Sequence, residues 1–400
     1  MRVYNQYSDA VMEYNLSHGT DIFLEYKNPD TTQTRKEEIV DFLFNLVRSK
    51  NEVPHALWDD TVVAKNLMEL SEVRAEDVYR DGEYFFNVSG LSTLYHFFPE
   101  LDHVRKGRAP SIHDMMMDDV LLRKVLHKAL LLSEDEIGMY RAFILYGAGN
   151  CSNFRPATAK TLYEIYGPRE GCKVFDSSAG YGGRLTGAHF AVNVSEYLGI
   201  DPNTAKSCAK LIEYLDTYWN THTKKQVLEM GSEDFTAENF PEYQNYFNLY
   251  FTSPPYWNTE EYSQAETQSF KKFPTYAGWV RGFYQETIHN ACSAVRPDGI
   301  VGINIFEKIP NIRDITKVCF ADNGFYIFRI DKYLMRTLPR KSYDEAGNKI
   351  SVNSVIKGNF EPIFMAKHYS RLYHEGVIDL QTALRFRERA HRENKKDIDL

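Results

Sequence analysis

Residues 174–188, VFDSSAGYGGRLTGA, run a short apolar strand into an acid, a glycine-rich turn and the start of a helix. The strand ends at Asp176, and Gly180, Gly182 and Gly183 follow before helix-forming residues resume. Glycine lets backbone approach a ligand where any Cβ would collide, and it reaches φ values that other residues avoid. Many nucleotide-binding α/β proteins have such a turn, although some glycine clusters only make tight turns. Around it, from about Lys173, the chain alternates short apolar runs with helix-like segments: KVFD, YLGID, KQVLEM, FNLYFTS, GIVGINIF, GFYIFRI and PIFMAKH. That alternation predicts an α/β fold with helices on both faces of the sheet.

Residues 1 to about 140 follow a different period. RKEEIVDFLFNLVRSK and DVLLRKVLHKALLLSEDEIGMYRAFILY space their apolar residues three and four apart, which predicts a mostly helical region, and no chemical motif lies in it. The charged stretch from Leu372 to Leu400 reads as a helix followed by a frayed tail, a solvated surface in the ordinary case.

Composition excludes several classes. The chain has 400 residues, 43% of them hydrophobic, enough for a sizeable core. It contains neither an apolar run long enough for a membrane span nor a signal-peptide pattern at its start, so the expected place is the cytoplasm. Cys151, Cys172, Cys208, Cys292 and Cys319 lie far apart without a CxxC pair, which argues for reduced thiols and against a zinc site or a disulfide framework. A net charge of −8 argues against coating nucleic acid through phosphates alone, while leaving room for a local basic cleft.

Two further acidic positions follow the glycine turn. YLGIDPNT places Asp201 and Pro202 at the end of the next strand, where a carboxylate can accept both hydroxyls of a ribose. LEMGSEDF places Glu233 and Asp234 just past a third strand, where an acid can accept from an adenine amino group. Any one of these carboxylates alone is commonly a solvated loop residue; three in successive strand-end positions favour an adenosyl ligand.

The segment YFTSPPYW ends a fourth strand at Thr252 and continues into Ser253, Pro254, Pro255, Tyr256 and Trp257. Consecutive prolines stop the strand and leave carbonyls that no ladder consumes, beside an aromatic ring. The lone pair of a base amino group is delocalised into its ring and attacks poorly. Hydrogen bonds from the amino hydrogens to Ser253 and the Pro254 carbonyl help localise it, and Tyr256 stacks on the base. The bland alternative is a rigid strand-ending turn with a packed aromatic.

On these residues the chain resembles the amino-group DNA methyltransferases of the N4-cytosine and N6-adenine type, over roughly Asn150 to His368. Asp176 to Gly183 is similar to their cofactor motif, and Ser253-Pro254-Pro255-Tyr256 to their catalytic tetrapeptide. The resemblance implies a Rossmann-like class I fold with a seven-stranded, mostly parallel sheet, S-adenosylmethionine as cofactor, no metal, and DNA as substrate. Ser in the first tetrapeptide position implies cytosine N4 over adenine N6. The upstream NFRPATAKTLYEIY is similar to the helix that closes the cofactor pocket, with Phe154 and Arg155 as candidates, and EPIFMAKH to the final antiparallel strand, with Glu361 in its acidic position. Ser177, Ala179, Gly180, Gly182, Gly183, Pro202 and Thr252 complete the expected cofactor lining. The order of motifs, cofactor first, excludes the permuted arrangement. Ser177 and Ser178 depart from the family's Pro and Phe after the Asp, which opens the door to an unusual derivative of the cofactor.

The expected organisation is a helical region over 1–140 for target recognition or partner binding, a catalytic domain over 141–370 and a charged tail over 371–400. Target selection has no clear module: the candidates are the loop YWNTEEYSQAETQSFKKFP, the helical region, and the basic stretch whose Arg336, Arg340, Lys341, Lys349 and Lys357 are available for phosphates, for which an ordinary solvent-exposed hairpin is an equal alternative. Such an enzyme belongs with bacterial restriction–modification or phage DNA modification. Rival readings are an RNA methyltransferase with a related turn, a protein-glutamine enzyme, whose turn begins with Asn, and a binding protein that has lost catalysis.

Overall fold

The computed structural model describes residues 5–51, 60–134, 139–145, 147–149, 151, 153–336, 341–343, 349–351 and 359–391. Among these, nine strands join in one sheet: β1 (Tyr79–Arg80), β2 (Glu83–Tyr84), β3 (Cys172–Asp176), β4 (Val194–Ile200), β5 (Lys224–Leu228), β6 (Phe247–Thr252), β7 (Val295–Asn304), β8 (Phe325–Arg336) and β9 (Asn359–His368). Their order across the sheet is β1-β2-β8-β9-β7-β6-β3-β4-β5. Strands β3 to β7 are mutually parallel, and β9 runs antiparallel to both β7 and β8. The seven strands read from the sequence are therefore present, including the late antiparallel one, in a Rossmann-like α/β fold.

Parallel strands covered on both faces read as continuous apolar runs, and β3 and β6 do so because Val174, Phe175, Leu249, Tyr250 and Phe251 are all buried. One face packs on a core containing Phe175, Tyr250, Trp279, Phe283, Ile288 and Val301. Strand order reverses beside β3, with β4 on one side and β6 on the other, so the carboxyl ends of β3 and β6 open at a topological switch point.

Contacts divide the chain into two units: Met1–Lys65, Tyr95–Ser152 and Asn258–Gln268 in one, and Asn66–Leu94, Asn153–Trp257 and Ser269–Leu400 in the other. The first unit is helical, as its periodicity predicts, around Ile39, Leu43, Leu122, Leu126 and Phe143. Its second apolar run forms two helices, Asp119–Leu132 and Met139–Leu145. It also takes in part of the loop after the double proline. Arg105–Lys106 and Glu260–Glu261 pair antiparallel, with Lys106 Nζ 2.7 Å from Glu260 Oε1.

Asn66–Leu94 lies inside the stretch read as a helical extension, yet it groups with the sheet. β1 and β2 turn at Asp81 and Gly82, both at positive φ, and β2 adds to β8 in parallel. Strands of two residues carry no readable period, so neither is legible in the sequence. The buried Asp331 carboxylate pins this edge, accepting from Tyr79 Oη at 3.1 Å, from Arg329 Nε at 2.7 Å and from the Tyr166 hydroxyl.

The charged segment near the C-terminus forms a helix over Leu380–His391 that is not solvated all round: the Phe386 ring stacks on Tyr326 at 3.5 Å. The tail at 392–400 lies outside the described residues. No helix among the described residues is long and apolar enough to cross a membrane.

Burial also yields a pH expectation. His189 is buried, its Nδ1 3.1 Å from Thr221 Oγ1, and burial, with Lys225 nearby, pushes its pKa down to about 4. The unfolded chain takes up that proton near pH 6.5, whereas the folded chain resists it. Stability contributed by the neutral ring is thus complete above pH 6.5 and lost as the pH falls toward 4, by about 3 kcal/mol at most. Urea unfolding at pH 7 and pH ~4.5 is expected to show a smaller acid loss in His189→Asn than in the wild type, by roughly 1–3 kcal/mol.

Candidate active site

Beneath the glycine turn lies a closed polar knot. Asp176 is fully buried at the end of β3; its Oδ2 accepts from Arg184 Nε at 2.7 Å and from Tyr197 Oη at 2.7 Å. Its Oδ1 accepts from Thr252 Oγ1 at 2.8 Å and from the Ser178 backbone N–H at 3.1 Å. Burial opposes the Arg184 charge, but Asp176 more than offsets it, so the guanidinium is held above its ordinary pKa. Asp176 therefore acts under the turn, not at its surface, and Thr252 ties it to β6.

Around this knot the turn is fixed residue by residue. Ala179 N–H donates to Ile200 O at 2.8 Å, and Gly180 and Gly182 take positive φ of 55° and 75°. Ser177 Oγ lies 2.8 Å from Tyr250 Oη, a buried pair that occupies the departure from the family pattern. Helix Gly183–Phe190 begins with Gly182 as its N-cap, and no side chain caps it. The first-turn N–H groups of a helix have no intrahelical acceptors and favour an anionic group.

Gly183 is required for packing. A Cβ there would stand 1.9 Å from the Phe154 carbonyl oxygen. Gly183→Ala is expected to cost about 1–3 kcal/mol, measured by denaturant unfolding.

The acids on the neighbouring strands are already engaged. Asp201 is half-buried and accepts from the backbone N–H groups of Gly180, Asn203 and Thr204, each at 2.9 Å. Burial pushes its carboxyl pKa up, and those donors pull it back. Pro202, half-buried, continues from it. Lys272 Nζ stands 2.8 Å from Glu233 Oε1 and 2.9 Å from Asp234 Oδ2. Glu233 is buried and Asp234 exposed, so the two acids share one cation and differ in access.

The Ser-Pro-Pro-Tyr turn leaves β6 beside the glycine turn. Pro254 is buried, while Ser253, Pro255 and Tyr256 are half-buried. Trp257 N–H donates to Pro255 O at 3.3 Å; among the described residues no donor meets the Pro254 carbonyl. Trp257 sits at φ 49° and packs edge-on against Tyr276 and Trp279 at 5.8 and 5.9 Å, which anchors the turn. The helical stretch beneath it passes through a π turn at Val280–Gln285.

Ser253 Oγ lies 2.8 Å from Tyr256 Oη, and the Asn304 amide nitrogen, at the end of β7, reaches Tyr256 Oη at 2.8 Å and Glu361 Oε2 at 2.7 Å. Glu361 was legible in the sequence; Asn304, Arg184 and Lys272 were not. The polar end of the apolar run GIVGIN was the available sign of Asn304.

Phe154 and Arg155 occupy the start of the preceding helix, but their partners are internal. The Phe154 ring stacks on Tyr333 at 4.7 Å and meets Phe251 edge-on at 5.2 Å. Arg155 is buried over the rings of Tyr333 and Phe86, at 4.2 and 4.7 Å, and donates to Leu334 O. Of the basic stretch, Arg340 and Lys357 lie outside the described residues, and Lys341–Tyr343 pairs antiparallel with Lys349–Ser351. No cluster of His, Cys, Asp and Glu among the described residues could hold a metal.

No family model and no curated protein matches the chain. Among solved structures it is similar to a TehB-like SAM-dependent methyltransferase from Corynebacterium glutamicum, at 12% identity over 57% of this chain and 94% of that one, with a TM-score of 0.31. It is also similar to a SAM-dependent O-methyltransferase from Thermotoga maritima, at 13% identity over 53% of this chain and 64% of that one, with a TM-score of 0.33. A third is the Burkholderia thailandensis 1,6-didemethyltoxoflavin-N1-methyltransferase with bound S-adenosylhomocysteine, at 12% identity over 53% of this chain and 77% of that one, with a TM-score of 0.32. Likeness at this level assigns no chemistry to the chain.

Proposed function

We propose that the chain is an S-adenosylmethionine-dependent methyltransferase acting on the exocyclic amino group of a base in DNA, with cytosine N4 the favoured atom. The observation that supports this most is the adjacency of two strand ends. The glycine turn after β3 and the Ser-Pro-Pro-Tyr turn after β6 are neighbours in the sheet, joined by the bond from Thr252 to Asp176. A cofactor on the first turn would thus face a substrate on the second.

The residues present fit that cofactor. The uncapped helix start at Gly183 suits a carboxylate, and Asp201 and Glu233 stand at successive strand ends where ribose and adenine groups need acceptors. When bound, S-adenosylmethionine supplies an electrophilic methyl group on a sulfonium. The chain's own part is to orient the nucleophile: Ser253 Oγ and the Pro254 carbonyl accept the amino hydrogens, which localises the nitrogen lone pair, and Tyr256 stacks on the base. One amino proton leaves to water as the N–C bond forms, so no strong base is required. A duplex substrate must first yield the base from its stack, at a cost of a few kcal/mol offset by phosphate and stacking contacts.

Expression in a methylation-deficient host, with digestion of DNA and RNA and mass spectrometry of the nucleosides, tests the reading. N4-methylcytosine in DNA that disappears with Ser253→Ala is the expected result. N6-methyladenine moves the target atom, a modified RNA nucleoside moves the substrate, and no new nucleoside in either pool rejects the proposal.

A further inference from the structure

We infer that the exposed ring of Phe86, set on the buried guanidinium of Arg155, is a stacking platform for a second base of the DNA substrate, beside the one presented to the Ser-Pro-Pro-Tyr turn. This rests on the reading that the site methylates a base in DNA.

The strand order brings Phe86 to the edge of the sheet that carries the site. β8 runs parallel to β7 because both are antiparallel to β9, and β2 runs parallel to β8 with Tyr84 opposite Tyr333. Phe85 and Phe86, leaving β2, therefore emerge at the carboxyl edge, where β6 ends in the double-proline turn and β7 ends at Asn304. Phe360 meets the same edge from the start of β9, opposite Leu334. One ladder step along, Glu361 lies opposite Tyr333 and reaches Asn304 at 2.7 Å. Phe85, Phe86 and Phe360 are 39%, 43% and 37% exposed. Large apolar rings gathered in water beside a site mark a surface that a ligand covers.

Phe86 ends a fixed column. The Arg155 guanidinium carbon lies 4.7 Å from the centre of its ring and 4.2 Å from that of Tyr333, and Tyr333 stacks on Phe154. Phe154, Tyr333 and Arg155 are all buried, so the column holds the outermost ring in place. A flat face held in this way accepts any base, because every base has a π face. Charge favours a nucleotide over an apolar protein surface. Arg155 has no carboxylate within ion-pairing distance among the described residues, its Nε is buried without a partner, and burial holds its pKa down. A nucleotide stacked on Phe86 brings a phosphate toward that cation. The connection between β8 and β9 springs from the same edge and carries Arg340, Lys341, Lys349 and Lys357 against Asp344 and Glu345, a basic stretch in a chain of net charge −8. Holding a second base here would keep the strand in place while the target base leaves its stack.

Titration of the full chain with two fluorescently labelled probes tests this: a single DNA strand of mixed sequence, about 20 nucleotides long, and a deoxyribose-phosphate chain of the same length without bases. Phe86→Ala is expected to weaken binding of the base-bearing strand by about 5- to 100-fold and to leave the baseless chain unchanged. The salt dependence of both should stay as in the wild type, since no phosphate contact is removed. Phe86→Trp keeps the platform and is expected to bind as the wild type does. Phe86→Leu keeps a cover over Arg155 without a π face and is expected to fall with Phe86→Ala, while thermal unfolding checks that each variant folds. Val192→Ala, at an apolar residue 89% exposed beside the start of β4 on the opposite edge, is the control and should change neither titration. Equal weakening on both probes overturns the inference, as does no weakening on either. Self-association of the wild type that disappears in Phe86→Ala, with DNA binding intact, gives the patch to a second copy of the chain and also overturns it. The underlying reading is tested apart from the platform, by the nucleosides of the expression host. A methylated DNA base formed by the wild type, with titrations that Phe86→Ala does not alter, rejects the platform alone; no methylated base rejects the reading and the inference with it.

Discussion

Arg184→Leu is expected to destabilise the sheet unit by about 3–5 kcal/mol, because it strands a buried carboxylate. Asp176 has no access to water, and its Oδ2 loses the only cation that touches it among the described residues. Tyr197, Thr252 and the Ser178 N–H remain as donors, which softens the loss without replacing the charge. For a unit of this size the change corresponds to roughly 10 °C in Tm, checked by calorimetry. Arg184 also donates to Ser178 O and lies across the Phe154 ring at 5.6 Å, so the glycine turn loses its brace and cofactor affinity falls with stability. The double variant Asp176→Leu with Arg184→Leu separates the terms. Removing both charges is expected to recover part of the loss, since the penalty belongs to the unpaired carboxylate and not to the absent pair. Equal or deeper destabilisation in the double variant would show instead that the pair contributes mainly through packing and hydrogen bonds.

The knot around Asp176 also shows where sequence reading stops. The apolar runs, the glycine turn and the double proline are local signals, each contained in fewer than ten residues, and each lands on the strand end or turn predicted for it. The partners that complete the site come from distant parts of the chain. Tyr197 reaches Asp176 from β4, Thr252 from β6, and Glu361 meets Asn304 across β7 and β9. No spacing rule links such residues; only the strand order does. The same reasoning explains Lys272, which lies four elements away from the acids it bridges in a helix of four residues too short to carry a period. Asp201 shows the converse case. Its position was legible, but its three backbone partners could be known only after the turn had closed over it.

Tyr256→Ala is expected to lower activity strongly while leaving the fold intact. Base stacking on an aromatic ring contributes about 1–3 kcal/mol, so kcat/KM should fall by roughly 10- to 100-fold from the lost platform alone. Losing the hydroxyl adds to this, because Tyr256 Oη shares a hydrogen bond of 2.8 Å with Ser253 Oγ that holds the serine in place. The ring is half-buried and leans on Phe306 at 5.5 Å, so truncation opens a wet site instead of a sealed cavity and costs little stability. Cofactor binding should be nearly unchanged, since the glycine turn is braced from Asp176 and not from this side. Tyr256→Phe divides the two contributions: it keeps the platform and removes the hydroxyl, and an intermediate rate with wild-type substrate KM is the expected outcome. If Tyr256→Ala binds cofactor normally and still turns over at the wild-type rate, the ring does not hold the base. The double-proline turn would then be a rigid strand end with no part in catalysis, leaving the glycine turn as the only functional element of the two.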